Sequence, residues 1–295
     1  MPVRALLATF LAAAALAAAG MPMPATAQVH AEESVLRVPV LSADGRAHSI
    51  EVTLFRAPWP GPSPVVVLSH GSPRDAADRR RSGRMRFPSE SRVFLSLGYS
   101  VAVPTRRGYG DSEGDWAEGY GTCADPDYYR AGLETARDIR ATVEALRRHP
   151  GLEAKRFVLV GQSAGGWGSV AASSQPIEGL EAVVNFAGGR GSYAPHRVCR
   201  EERLVEAAAR FGGAARVPQL WIYSENDLYF GPDLARRMHS AFAAAGGKAE
   251  LLKAPAVGAD GHAYFTHIHE WGVPVAKFLR RVAAEAPAPR ASTGS

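Results

Sequence analysis

The sequence predicts an α/β fold, a mostly parallel sheet with helices on both faces and one short insert. Three observations predict it. Uninterrupted β-branched runs such as Val65-Val66-Val67-Leu68 suit strands buried on both faces. Amphipathic helical stretches alternate with those runs along most of the chain. The apolar run Phe157 to Val160 leads straight into Gly161-Gln162-Ser163-Ala164-Gly165, the pattern of a tight strand-to-helix turn that lifts a serine hydroxyl above a sheet. In such a turn the first glycine is expected to let the chain reverse, and the second to let the helix pack close.

The opening segment stands apart. Met1 to Arg4 carries one positive charge, Ala5 to Gly20 is apolar, and Ala25-Thr26-Ala27 offers small residues where a signal peptidase reads them. Residues 1–27 read as a secretory signal peptide cut between Ala27 and Gln28, because the apolar run is short for a bilayer span of roughly 20 residues. The expected location is a bacterial periplasm or the medium outside it, with no membrane attachment after cleavage. One domain is expected over 28–285, with an insert at 188–216. The Pro/Ser/Ala-rich tail 286–295 reads as disordered.

The elements follow in order. Val35 to Val40 and Ser49 to Arg56 alternate apolar and polar residues, as half-buried strands do, and Asp44-Gly45 marks a hairpin turn between them. A Pro-rich loop, Pro58 to Pro64, precedes the strand at Val65. Ser89 to Leu97 reads as a helix closed by Gly98, and Tyr99 to Val103 as the next buried strand. Asp127 to Arg148 is a long helix with the apolar stripe Leu133, Ala136, Ile139, Val143 and Leu146, stopped by Pro150-Gly151. A small-residue helix, Ala164 to Ser174, follows the serine, then a strand from Leu180 to Phe186. The rhythm breaks from Gly188 to Arg216, where a loop and one helix, Glu201 to Phe211, form the insert. Gln219 to Tyr223 and Ala249 to Leu252 are the last strands, Pro232 to Ala245 and His269 to Ala284 the last helices. Sites in such sheets lie at the carboxyl ends of strands.

The formal net charge of +5 comes from arginines mixed with Asp and Glu, without the aromatic-interleaved basic surface of a nucleic-acid binder. The densest group, Arg79, Arg80, Arg81, Arg84 and Arg86, reads as a solvated loop before a helix, with a phosphate- or acid-binding patch as the alternative. Two cysteines in an exported chain, Cys123 and Cys199, favour one disulfide. His267 and His269 lie close together, yet no cysteine or carboxylate cluster accompanies them, so no metal and no cofactor are expected.

A serine hydroxyl needs a base to take its proton, and the base needs a carboxylate to hold its tautomer. His262, in the glycine-bearing loop after the last strand, is the candidate base for Ser163. Asp227, in Ser224-Glu225-Asn226-Asp227, is the candidate carboxylate, with Glu225 as the alternative. The order Ser, Asp, His distinguishes this arrangement from other serine-hydrolase orders. An oxyanion needs preorganised N–H donors. Ala164, the residue after the serine, supplies one, and Ser72 in His70-Gly71-Ser72-Pro73 the other, with Gly71 as the alternative. Pro73 has no N–H to donate.

These pieces resemble the α/β-hydrolase superfamily and, within it, dienelactone hydrolase-like serine hydrolases. The resemblance rests on His70 to Pro73, on Arg107-Gly108-Tyr109-Gly110-Asp111-Ser112-Glu113-Gly114, on Gly161 to Gly165, on Asp227 and on Asp260-Gly261-His262. It implies an esterase acting on a small-molecule carboxylic ester through an acyl-enzyme. It also implies a lid at 188–216 and an open pocket lined by Trp167, Tyr193 and Tyr229, with Phe230 and Trp116 nearby. Gly161 to Gly166 is similar to the G-x-S-x-G-G of prolyl-oligopeptidase-type peptidases too, so peptide or amide cleavage with the same residues is the alternative. A non-catalytic binding protein is the reading from another class.

Overall fold

The computed structural model describes residues 31–285, so the expected signal peptide 1–27 and tail 286–295 lie outside the described residues. Strands β1 (Glu33–Leu41) and β2 (Ala47–Phe55) form the expected antiparallel hairpin. β3 (Ser63–Ser69) leads to a short helix α1 (Ala76–Arg81), then α2 (Pro88–Ser96) and β4 (Ser100–Thr105). The long helix α3 (Tyr128–Leu146) precedes β5 (Leu152–Gln162), α4 (Ala164–Ser173) and β6 (Leu180–Phe186). A two-stranded hairpin, β7 (Ser192–Ala194) and β8 (Arg197–Val198), and α5 (Glu201–Ala214) fill the insert. β9 (Gln219–Ser224), α6 (Pro232–Ala244), β10 (Ala249–Ala254), a 3-10 turn (Gly261–Thr266) and α7 (Ile268–Glu285) complete the chain.

The central sheet has eight strands in the order β1-β2-β4-β3-β5-β6-β9-β10, parallel from β4 to β10, with β2 antiparallel to both of its neighbours. The order doubles back at β3. The chain leaves β3 toward β4 and then crosses to β5 on the other side, so the loops after β3 and β5 emerge next to each other. Ser69 at the end of β3 pairs with Gly161 in β5. Ligands of open parallel sheets bind at such a switch point.

Successive strand residues feed opposite faces. Val65, Val67, Phe157 and Leu159 pack with α3, α4, α5 and α6, whereas Val66, Leu68, Val158 and Val160 pack with α2 and α7. That two-sided burial is why these strands read as unbroken apolar runs.

Three local expectations change. Asp127 is the cap of α3 rather than its first residue, its side chain accepting from Arg130 N at 2.9 Å. The arginine group is split by the fold instead of forming one solvated loop: Arg79 is buried on α1, Arg84 and Arg86 bind Glu33, and Arg81 pairs with Asp78. Much of the insert packs into the helical layer rather than over the cleft, because Phe211 of α5 stacks on Tyr129 of α3 and meets Trp167 of α4 edge-on.

Polar groups are buried where the strands end. His70, just past β3, makes a 2.6 Å contact from Nδ1 to Gly71 O, and its Nε2 accepts from Arg106 N at 3.2 Å. The imidazole is thus neutral with the proton on Nδ1, and it braces the loop after β3 against β4. Arg107 N and Nε donate to Asp138 at 2.8 and 2.6 Å, anchoring the loop after β4 to α3.

Two predictions follow from this framework. The Cys123–Cys199 disulfide closes 76 residues of chain. On the chain-entropy model this stabilises by about 4.5 kcal/mol, so reduction, or the Cys123→Ala/Cys199→Ala pair, should lower Tm by roughly 10 °C. An unchanged melting curve with both thiols free would refute that. For His70, burial first and then the Arg106 guanidinium hold the imidazole well below its ordinary 6.5. The unfolded chain therefore binds more protons as pH falls below 6.5, and this group's contribution to stability, full above that pH, is lost on acidification. The stability difference between wild type and His70→Gln should shrink by up to about 1.4 kcal/mol per pH unit there. A difference that stays flat under urea unfolding across that range would mean that His70 titrates alike in both states.

Candidate active site

The reversal from β5 into α4 falls on one residue. Ser163 has φ 56° and ψ −121°, a region costing an L-residue of order 1–3 kcal/mol. The positive φ sits on the serine itself, not on Gly161 as a glycine-first turn would have it. Both glycines serve close approach instead. A Cβ on Gly161 would collide with the Gly165 carbonyl, and one on Gly165 with the carbonyl oxygens of Ser69 and His70. Ser163 N is held by Phe186 O at 2.8 Å.

Three loops meet above this turn. Ser163 Oγ lies 3.0 Å from His262 Nε2, and His262 Nδ1 lies 3.2 Å from both carboxylate oxygens of Asp227. Asp227 is fully buried, and its Oδ1 also accepts from Tyr229 N at 2.7 Å and Phe230 N at 2.9 Å. It therefore shapes its own loop while facing the histidine. Glu225, the alternative, is exposed. His262 is the second residue of the 3-10 turn capped by Asp260, whose Oδ1 accepts from His262 N and from Leu228 N, tying the two loops together. The Tyr229 ring stacks on the imidazole at 3.9 Å and 11°, and the Arg74 guanidinium lies 4.1 Å from the same ring.

Ala164 is the first residue of α4, and Ser72 lies in the neighbouring loop past β3. Behind Ser72 is a buried polar cluster. The Tyr109 hydroxyl stands 2.7 Å from Ser72 Oγ and 3.0 Å from Glu118 Oε2, and accepts from Trp116 Nε1 at 3.1 Å. Glu118 binds both Arg106 and Arg190. Burial alone would raise the Glu118 pKa, but the two guanidiniums overcome it and hold the carboxyl well below its usual range. Burial, then Glu118, raises Tyr109, so its hydroxyl keeps its proton.

A cleft of about 480 Å³ opens at Ser163. Tyr193, Tyr229, Phe230 and Trp116 line it, Tyr193 at its exposed rim. Trp167 does not. It is fully buried, its Nε1 donating to Tyr128 O at 2.9 Å and its ring against Phe211, because α4 is packed in on every side and turns this face toward α3 and α5. Gly119 to Gly121 and Gly189 to Tyr193 both line it, and the disulfide joins the segments that carry them. Sequence reasoning missed Arg74 and Arg190, which line the cleft together with Arg79. Arg79 belonged to a noted basic group, while Arg74 and Arg190 are single arginines with no signal of their own. Among the described residues, no group of three or more His, Cys, Asp or Glu is suited to a metal ion, and no helix is long and apolar enough to cross a membrane.

The comparisons agree with this architecture. Among solved structures, the acylaminoacyl peptidase of Pyrococcus horikoshii superposes with a TM-score of 0.65 at 18% identity, covering 89% of this chain and 43% of that one. An esterase of Pyrococcus furiosus gives 0.58 at 15% identity, covering 85% and 90%. A puromycin-hydrolyzing peptidase of Mycobacterium tuberculosis gives 0.56 at 19%, covering 86% and 39%. The chain thus spans less than half of each peptidase and most of the esterase, and it shares with all three the α/β-hydrolase fold. No curated protein matches it. The model of the X-Pro dipeptidyl-peptidase (S15 family) matches residues 40–252, most of the folded chain, and the chain belongs to that family.

Proposed function

We propose that the protein is an exported serine hydrolase that cleaves small carboxylic esters through an acyl-enzyme. The observation that carries this is the continuous hydrogen-bonded line from Ser163 Oγ through His262 to the buried Asp227, at the mouth of an open cleft. His262 Nε2 takes the hydroxyl proton as Ser163 Oγ attacks the carbonyl carbon. The N–H groups of Ala164 and Ser72 hold the resulting oxyanion, aided by the positive end of α4. The C–O bond to the alcohol breaks, and the alcohol leaves with the proton from His262. Water then attacks the acyl carbon, gives its proton to His262, and frees the acid while Ser163 regains its hydrogen.

The disulfide supports an oxidising compartment and hence export to the periplasm or beyond. The resemblance to dienelactone hydrolase-like enzymes supports a small ester. A second reading, peptide or amide cleavage by the same residues, is favoured by the family match over 40–252. Against release of dipeptides with a free ammonium stands the cleft itself: among the described residues lining it there is no Asp or Glu to receive a cation.

Mature protein should hydrolyse p-nitrophenyl acetate and butyrate, and Ser163→Ala should reduce kcat by about 10⁴-fold or more. A fluorophosphonate probe should label Ser163. Equal rates in both proteins, or no labelling, would favour a binding protein. Matched ester and amide substrates compared by kcat/KM should favour the ester, and an equal or larger value for the amide would move the assignment to a peptidase.

A further inference from the structure

The charges around the cleft are unbalanced. Among the described residues, three arginines line it and no carboxylate does. Arg79 is only 8% exposed, and among the described residues its guanidinium meets only Arg74 O at 3.4 Å and the face of Trp116 at 3.8 Å. Arg74 reaches Ser192 O and Oγ at 3.0 Å and has no acidic partner among the described residues either. The acids nearest in sequence are engaged elsewhere: Asp75 caps α1 through Ala77 N, and Asp78 pairs with Arg81. Arg190 does bind Glu118, but Glu118 is shared with Arg106, so two guanidiniums face one carboxylate, and Arg190 Nε is buried without an acceptor.

A buried guanidinium without a counter-ion is costly, and natural folds rarely keep one unless something supplies the missing charge. Here the missing charge faces the cleft at which Ser163 opens. We infer that the substrate carries a carboxylate, separate from the scissile group, and that Arg79 and Arg74 receive it, with Trp116 as the flat surface beneath Arg79. Guanidinium and carboxylate match as forked donors and acceptors, and this pairing is stronger than one between neutral groups. This rests on the ester-hydrolase reading above for the bond that is cleaved, but not for the charge that is recognised.

The test separates the two. Binding of adipate and of its neutral diamide is measured by calorimetry on mature protein, Arg79→Gln, Arg79→Lys and Arg74→Gln. Adipate should bind at least about ten-fold tighter than the diamide, Arg79→Gln and Arg74→Gln should each remove most of that ratio, and Arg79→Lys should retain part of it. Equal affinities, no adipate binding, or a ratio intact in both glutamine variants would overturn the inference. The Arg74 variant, on an exposed residue, keeps the test open should Arg79→Gln fail to fold. Turnover is then compared for monomethyl adipate and 4-acetoxybutanoate, acid on the acyl or the alcohol side, each against its primary amide. Preference for at least one acid, about ten-fold in kcat/KM and lost in Arg79→Gln, supports the inference and shows which side carries the charge. Preference for the neutral partner in both pairs overturns it. Selective adipate binding without ester turnover supports the charge assignment while rejecting ester cleavage.

Discussion

The contact between the backbones of β5, α4 and the end of β3 governs the rest of the site. Gly161 and Gly165 have no Cβ, so α4 lies directly against the strand it leaves and against the Ser69–His70 peptide. That approach forces the whole reversal onto Ser163 and holds it at φ 56°. An isolated turn would relax from this conformation. Here β5 is paired on both sides and α4 is buried along its whole length, so the cost is met by packing that cannot rearrange locally. The same contact brings the loop carrying Ser72 beside the serine.

Around that turn, buried polar groups do the positioning. His70 is neutral because it is wholly enclosed and sits near Arg106. Glu118 stays ionised because two guanidiniums share it. Tyr109 links this cluster to Ser72. Such clusters contribute little net stability compared with apolar packing, but removing one member leaves the others uncompensated, which makes the geometry all-or-none. On the opposite side, Tyr229 is pressed between the His262 ring and the Arg74 guanidinium, so the residue beside the imidazole also contacts one of the cleft arginines.

Much of this was legible from the chain. The two-sided strands, the hairpin, the long helix and the glycine-flanked serine all carry local signals, and Asp227 and His262 fall just after strands where the sheet rule puts them. Of the cleft arginines, Arg74 and Arg190 carry no such signal, and Arg79 only that of its basic group. Arg79 sits one position from the exposed Arg80, and only the seating of α1 under Trp116 separates a cleft residue from a solvated one. Trp167 shows the reverse: four residues after the serine it looks well placed for substrate, yet one turn of helix directs it into the layer between α3 and α5.

By itself the sequence determined the elements and the chemical types available to them, because period, turn residues and strand ends are written within a few positions of one another. The tertiary structure alone decided which residues share the cleft, because that depends on the crossover that places β3 between β4 and β5, on helices packed from distant segments, and on a disulfide joining walls 76 residues apart. Charge balance is the clearest case. A guanidinium lacks a partner only relative to everything around it in space, and no local pattern along the chain encodes that.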